Sequence, residues 1–316
     1  MRPWAPLLLC ALPGAALAGE PAFSCAGALS VPEAAICAAP DLALADRVLS
    51  ALYGKALAAE PGQRPRQRAF LAERDACVSD TTCLREAYGG RIAELGGLSG
   101  FDLGLTEFRW VAPLEGASVS GLWAPEASDD GHLRGPALFE VTLAETRLVL
   151  VAPEIALARD LPPKDRPLRL TWADRALSGA CEKNGEDICL YPGEGPFDLQ
   201  DLDFDGAPEA LIADAGAGQR GVPLIWVYSL PEGRDLSRDH AVFGRIDGLT
   251  QVNLTRREIV IMTSSGACSS SADTYAAERN FALVEIEAWS TEGEDCHHDL
   301  TRIAPDGSRR TTRIED

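Results

Sequence analysis

Gly96-Gly97-Leu98-Ser99-Gly100 is the stretch that decides the fold. Three of its five residues are glycine, which neither helix nor strand accepts cheaply, so residues 97–104 read as a linker. The patterns on its two sides differ. Upstream, residues 31–95 repeat apolar positions at three and four. Val31-Pro32-Glu33 opens a short helix that ends near Ala39-Pro40. Asp41 then caps a longer helix with Leu42, Ala45, Leu49, Leu52 and Ala56 on one face, flawed at Gly54 and ended by Pro61-Gly62. A third helix runs from about Pro65 to Ala76. A fourth starts at the N-cap Asp80 and aligns Leu84, Tyr88, Ile92 and Leu95. Downstream, alternation takes over: Leu168, Leu170 and Trp172; Leu224, Trp226 and Tyr228; Val284, Ile286 and Ala288; and the β run 258–263. The expected fold class is α+β as two domains. A small disulfide-bonded all-α domain at 19–96 precedes a larger antiparallel all-β domain at 105–316. Whether 105–175 forms a separate lobe stays open.

The first residues read as a secretory leader. Arg2 precedes the mostly apolar stretch 4–17, and Ala16-Leu17-Ala18 is a small-x-small cleavage site, which gives a signal peptide at 1–18. The run is too short and too broken at Pro13-Gly14 to span a bilayer, and no other stretch is long enough. Setting aside Cys10 leaves eight cysteines, an even set that an exported chain uses as disulfides. Pairing by proximity gives Cys25 with Cys37, Cys77 with Cys83, Cys181 with Cys189 across a hairpin loop at Asn184-Gly185-Glu186, and Cys268 with Cys296. Four cysteines per domain still allow three connectivities. Zinc is a weak competitor, since no C-x2-C pair exists.

The formal charge is −19, and loss of Arg2 with the leader makes it about −20. That balance repels nucleic acid and anionic lipid and attracts a basic partner; solubility alone is the plainer explanation.

The sharpest local motif is Asp201-Leu202-Asp203-Phe204-Asp205-Gly206-Ala207-Pro208-Glu209. Carboxylates stand at relative positions 1, 3, 5 and 9, with glycine at 6 where a wrapping loop turns sharply. Asp201, Asp203, Asp205, the Ala207 carbonyl and Glu209 are the candidate ligands, and a hard oxygen set favours Ca²⁺. Position 12 is Ile212 rather than Glu, so the loop leads into a strand and reads as a structural clip. An exposed acidic turn is the plain alternative.

Catalytic residues are not apparent. No H-E-x-x-H, G-x-S-x-G or phosphate-cradling loop is present. Cys296-His297-His298-Asp299 reads as a half-cystine followed by two exposed histidines. Arg74-Asp75 reads as a helix-packing ion pair. Acidic pairs such as Glu126 and Asp129 are too weakly placed to assign to a hydrolase.

Two resemblances follow from these residues. Ser24-Cys25-Ala26, Glu33-Ala34-Ala35-Ile36-Cys37, Leu42, Asp46, Leu49, Tyr53, residues 67–71, Arg74-Asp75-Ala76-Cys77, Cys83-Leu84, Tyr88, Arg91-Ile92 and Leu95 resemble the LprI-type N-terminal domain, a lysozyme-inhibitor-associated domain of bacterial envelope proteins. Phe70 stands where that family usually has Trp. The acidic loop, the aromatic strand 224–228 and the stretch 259–266 resemble periplasmic β proteins related to lysozyme inhibitors, in some of which a Ser-Gly-x-x-Tyr loop enters the enzyme's cleft. Here Ser265-Gly266 would be that loop, with Ser269 in place of Tyr. The resemblance implies a non-enzymatic periplasmic or secreted binding protein that engages a basic lysozyme-like protein. A general envelope scaffold without lysozyme activity and, further off, a hydrolase with its site in 105–200 are the alternatives.

Overall fold

The helical half begins where local chemistry says it should. The computed structural model describes residues 19–98, 103, 105–110, 117–127, 133–157, 169–172, 179–180, 187–190, 195–215, 222–230, 232–266, 268–292 and 295–314. The leader, Cys181 and the Asn184-Gly185-Glu186 loop lie outside these residues. Helix α1 (Val31–Ala38) opens with a capping box, in which the Ser30 backbone N–H and hydroxyl both donate to the Glu33 carboxylate, at 2.8 and 2.7 Å. Pro40 forces Ala39 into extended backbone and itself starts α2 (Pro40–Ala59). Asp41 is therefore not the cap that the sequence pattern predicts. It is buried inside the first turn and accepts from Arg85 at 2.6 Å. Helix α3 (Gln63–Ala76) follows, and α4 (Thr81–Glu94) starts under Asp80, whose carboxylate accepts from the Thr82 and Cys83 N–H groups. The disulfides Cys25–Cys37 and Cys77–Cys83 staple this half.

Among the described residues the strands make three sheets. Strands β1 (Thr106–Trp110), β2 (Ala117–Trp123), β3 (Glu126–Ala127), β4 (Leu133–Leu143), β5 (Thr146–Leu157) and β6 (Arg169–Trp172) form the first, in the order β3-β4-β2-β1-β6 with β5 also on β4. Strands β7 (Gly179–Ala180) and β8 (Asp187–Cys189) belong to the largest sheet. Strands β9 (Phe197–Gln200), β10 (Glu209–Asp214) and β11 (Leu224–Tyr228) form the smallest. A short helix α5 (Leu236–Asp239) then leads into β12 (Gln251–Asn253), β13 (Glu258–Gly266), β14 (Ser269–Ala276), β15 (Ala282–Glu292), β16 (Asp295–Ile303) and β17 (Arg309–Ile314), which complete the largest sheet. Two details correct the expectation of an antiparallel all-β segment: β1 and β6 pair in parallel, and α5 interrupts the strands.

The layers stack because the first sheet is apolar on both faces. Leu122, Leu138, Val149 and Val151 join one cluster with Ile36, Leu44, Val48, Leu49, Leu84, Tyr88 and Ile92 of the helices. The opposite face, with Phe108, Val119, Phe139, Val141 and Leu150, packs on Phe197, Leu199, Ala210 and Ile212 of the three-stranded sheet. That sheet's far side, with Leu211, Ala213, Ile225 and Val227, packs on Val252, Ile259, Ile261 and Tyr275 of the largest sheet. Helices and first sheet thus share a core. The expected linker begins as a packed helix stop: Gly96 and Gly97 take positive φ, and buried Leu98 donates its N–H to Glu140. Further pins cross the layers. Arg85 lies 5.0 Å over the Trp226 ring, and Arg238 pairs with Asp80 at 2.6 Å. No described helix is long and apolar enough to cross a membrane.

One backbone approach controls how α4 lies on β5. A Cβ placed on Gly89 would stand 2.1 Å from the Val149 carbonyl oxygen, whereas one on neighbouring Gly90 meets nothing within 4 Å. Helix propensity alone favours alanine at either position by about 1 kcal/mol. Chemical denaturation is expected to show Gly90→Ala stabilising by ~0.5–1 kcal/mol and Gly89→Ala destabilising by ~1–3 kcal/mol as the helix is pushed off the strand. Equal effects of the two substitutions would contradict this packing.

Candidate functional site

Glu209 pairs with Gln200 across the β9–β10 ladder, so residues 201–208 form the loop between two strands of the three-stranded sheet. Backbone donors wind the loop around its own carboxylates. Gly206 N–H donates to Asp201 at 3.1 Å, Asp205 N–H to Asp203 at 3.0 Å, and Ala207 N–H to Asp205 at 2.7 Å. Leu202 and Asp203 N–H both reach one Glu209 oxygen, at 2.7 and 3.3 Å. The winding needs left-handed backbone at Phe204 (φ 61°) and Gly206 (φ 95°). Glycine takes this freely; phenylalanine pays about 1 kcal/mol. Arg257, from the turn after β12, holds Phe204 there. It donates to the Phe204 carbonyl and lies 5.5 Å over its ring.

Three carboxylates result from this winding. Asp201, Asp203 and Glu209 each bring an oxygen to within 4.8 Å of the others. Glu209 is 1% exposed, because it begins a strand covered on both faces. Asp201 Oδ1 is buried with no hydrogen-bond partner. Burial first, then the charges of Asp203 and Asp201, push the Glu209 carboxyl up to about 8. Burial, with Asp205 and Asp201 adding, also raises Asp203. Such a cluster strains when ionised and relaxes when a proton or a cation enters. Of the expected carboxylate ligands, Asp205 stays exposed outside the triad with an oxygen already taken by Ala207 N–H. The Arg257 brace had no sequence signal, since it comes from a turn 53 residues away in the chain.

The histidines, cysteines and polar side chains elsewhere in the described residues do not gather into a second site of this kind. Cys268 is bonded to Cys296, and Cys189 is disulfide-bonded as well. His297 and His298 are successive on β16 and so point to opposite faces of the sheet. His298 stacks on Trp289 with centroids 4.6 Å apart and lies 2.7 Å from Glu287. His240 packs between Phe243 and Phe281. Ser264 and Gly266 sit at a bulge at the end of the β13–β14 hairpin, with Cys268 beside it; the Ser265 side chain lies outside the described residues. Asn253 is buried and accepts from Arg256 N–H within its turn. Arg74 and Asp75 pair at 2.7 Å.

No family model matches the chain. No curated protein matches it. Among solved structures it is similar to one described as a Xanthomonas type IV secretion system related protein, at a TM-score of 0.44 and 15% identity, over 66% of this chain and 93% of that one. Nothing proposed below rests on that likeness.

The shift at Glu209 sets a pH dependence for the cation-free protein. Its folded value of about 8 lies above the ordinary 4.5, so folding prefers the protonated form. This group's contribution is therefore greatest below pH 4.5, falls as pH rises to about 8, and is flat beyond. Thermal melts in EDTA are expected to show Glu209→Gln raising Tm at pH 8, with the gain shrinking towards pH 5. A gain that is constant with pH would mean that Glu209 is ionised in the fold throughout.

Proposed function

We propose that this chain is an exported, non-enzymatic binding protein of the bacterial envelope whose β9–β10 loop holds a structural Ca²⁺. The observation that carries the cation reading is the convergence of half-buried Asp201 and Asp203 on buried Glu209, with an Asp201 oxygen left unpaired. Three carboxylates provide hard anionic oxygens. Water and backbone carbonyls would complete the six to eight that Ca²⁺ takes. The ion would offset the repulsion inside the loop and lock β9 to β10, a clip rather than a switch.

The partner in this reading is a basic lysozyme-like protein, engaged from a periplasmic or secreted location. Three features support it. The charge of −19 would speed encounter with a basic protein. The helices at 19–96, stapled by Cys25–Cys37 and Cys77–Cys83, carry the residues that resemble the LprI-type domain. The bulge at Ser264–Gly266 ends a hairpin tied to β16 by the Cys268–Cys296 bond, which gives a rigid tip of the kind a cleft accepts.

Calcium is expected to raise Tm in calorimetric melts, EDTA to reverse the gain, and Asp203→Ala to abolish it. An unchanged Ca²⁺ titration for Asp203→Ala would refute the site. Inhibition titrations against several lysozyme types test the partner separately. Activity that is unaffected at micromolar protein would leave the envelope-scaffold reading in its place.

A further inference from the structure

Helix α3 is the outermost element of the helical layer. Gln63, Phe70 and Arg74 point inward and are buried. At 100° per residue the opposite side carries Pro65, Ala69, Ala72 and Ala76, all exposed. One flank of this small-residue strip holds Arg64, Arg68, Leu71 and Asp75, and the other holds Arg66 and Glu73. Among the described residues, Arg64, Arg66, Arg68 and Glu73 make no ion pair or hydrogen bond. Asp75 gives one oxygen to Arg74 and is half exposed. Leu71 is one of the few large apolar side chains left in water.

The charge order along α3 is unusual. Three arginines occupy the first two turns, and no acidic residue stands in the first. That opposes the helix dipole, which favours anions at this end. The acids Glu73 and Asp75 come only in the last turn. Within one chain Arg74 offsets Asp75 in that turn, while Glu73 and the three exposed arginines gain no partner among the described residues.

We propose that this face is the contact between two copies of the chain, packed as an antiparallel pair of α3 helices about a two-fold axis. With the axis passing beside the midpoint of Ala69 and Ala72, Arg68 faces Asp75 of the partner subunit on one flank. On the other flank, Arg66 faces Glu73 of the partner subunit. Symmetry repeats both pairs. Pro65, Ala69, Ala72 and Ala76 let the axes approach to ~8 Å. Each basic helix start then lies beside an acidic helix end. A parallel arrangement would set arginine against arginine. A foreign polyanion would suit residues 64–68 but meet repulsion at Glu73 and Asp75. A second copy satisfies both halves.

The net charge of −19 on each copy opposes association. At ~0.15 M salt the screening length is about 8 Å, so the four contact pairs act while most of the remaining charge is screened. One helix per copy places the interface in the small, transient class, with a dissociation constant on the order of 0.1 mM.

Sedimentation of the full, disulfide-intact chain from ~10 µM to ~1 mM at ~0.15 M salt tests this. Wild type is expected to shift towards dimer. Arg66→Glu with Arg68→Asp, and separately Glu73→Arg with Asp75→Arg, are each expected to weaken dimerisation at least ~10-fold, and mixing the two variants is expected to restore it. The changed side chains are exposed, so matched circular dichroism melts establish that each variant is folded. A wild type that remains monomeric, a dimer indifferent to both variants, or a loss that mixing does not rescue would each overturn the proposal. The cation site and the lysozyme reading are independent of this result.

Discussion

The structure depends on a sheet that is apolar on both faces. Strands β4 and β5 alternate Leu138, Val149 and Val151 towards the helices with Phe139, Val141 and Leu150 towards the three-stranded sheet. A pleated strand sends successive side chains to opposite sides, so neither side of this sheet can be left in water. The helices cover one side and β9–β11 cover the other. The covering sheet then has an apolar back of its own, Leu211, Ala213, Ile225 and Val227, which the largest sheet covers in turn. The largest sheet runs out sideways to the exposed edge strand β17, and the helical layer carries the exposed face of α3.

The acidic loop owes its character to this stacking. On an outer hairpin, four carboxylates in nine residues would be a solvated turn with ordinary protonation. Here the loop joins two strands of the middle layer, so Glu209 is sealed as its strand begins and Asp201 loses access to water at one oxygen. Burial rather than mutual repulsion is the first cause of the Glu209 shift. The same burial makes a bound cation worth more than it would be at the surface, since its field is screened less. Arg257 contributes at a distance, bracing the strained Phe204 from the turn before the largest sheet's long strands.

Much of this was legible in the chain. The four N-terminal helices, the Asp80 cap, the β runs at 224–228 and 258–263, and three of the four cysteine pairings appear at or close to the places the residue patterns indicate. These are short-range signals, set by capping chemistry, periodicity and loop closure. Asp41 shows where they stop. By local rules it is a helix cap. Its observed role, a buried acceptor for Arg85 from another helix, depends on a residue 44 positions away. Gly89 carries no helical signal beyond being a flaw, yet its missing side chain is what lets α4 meet the Val149 carbonyl. The start of the expected linker is a similar case, because the burial of Leu98 against the sheet is invisible in a glycine-rich stretch.

By itself the sequence determined the four N-terminal helices, several of the strands, the order of helices before strands, three of the disulfide staples and the spacing of the acidic loop. Hydrogen bonding between near neighbours and the periods of helix and strand are written locally, so residue order suffices for them. Only the tertiary structure decided that the helices and the first sheet share one core, that Asp201, Asp203 and Glu209 converge while Asp205 stays outside, and that α3 presents an exposed face with its basic and acidic residues segregated. Those outcomes follow from which surfaces exclude water together, and that is a property of the packed layers rather than of any segment of the chain.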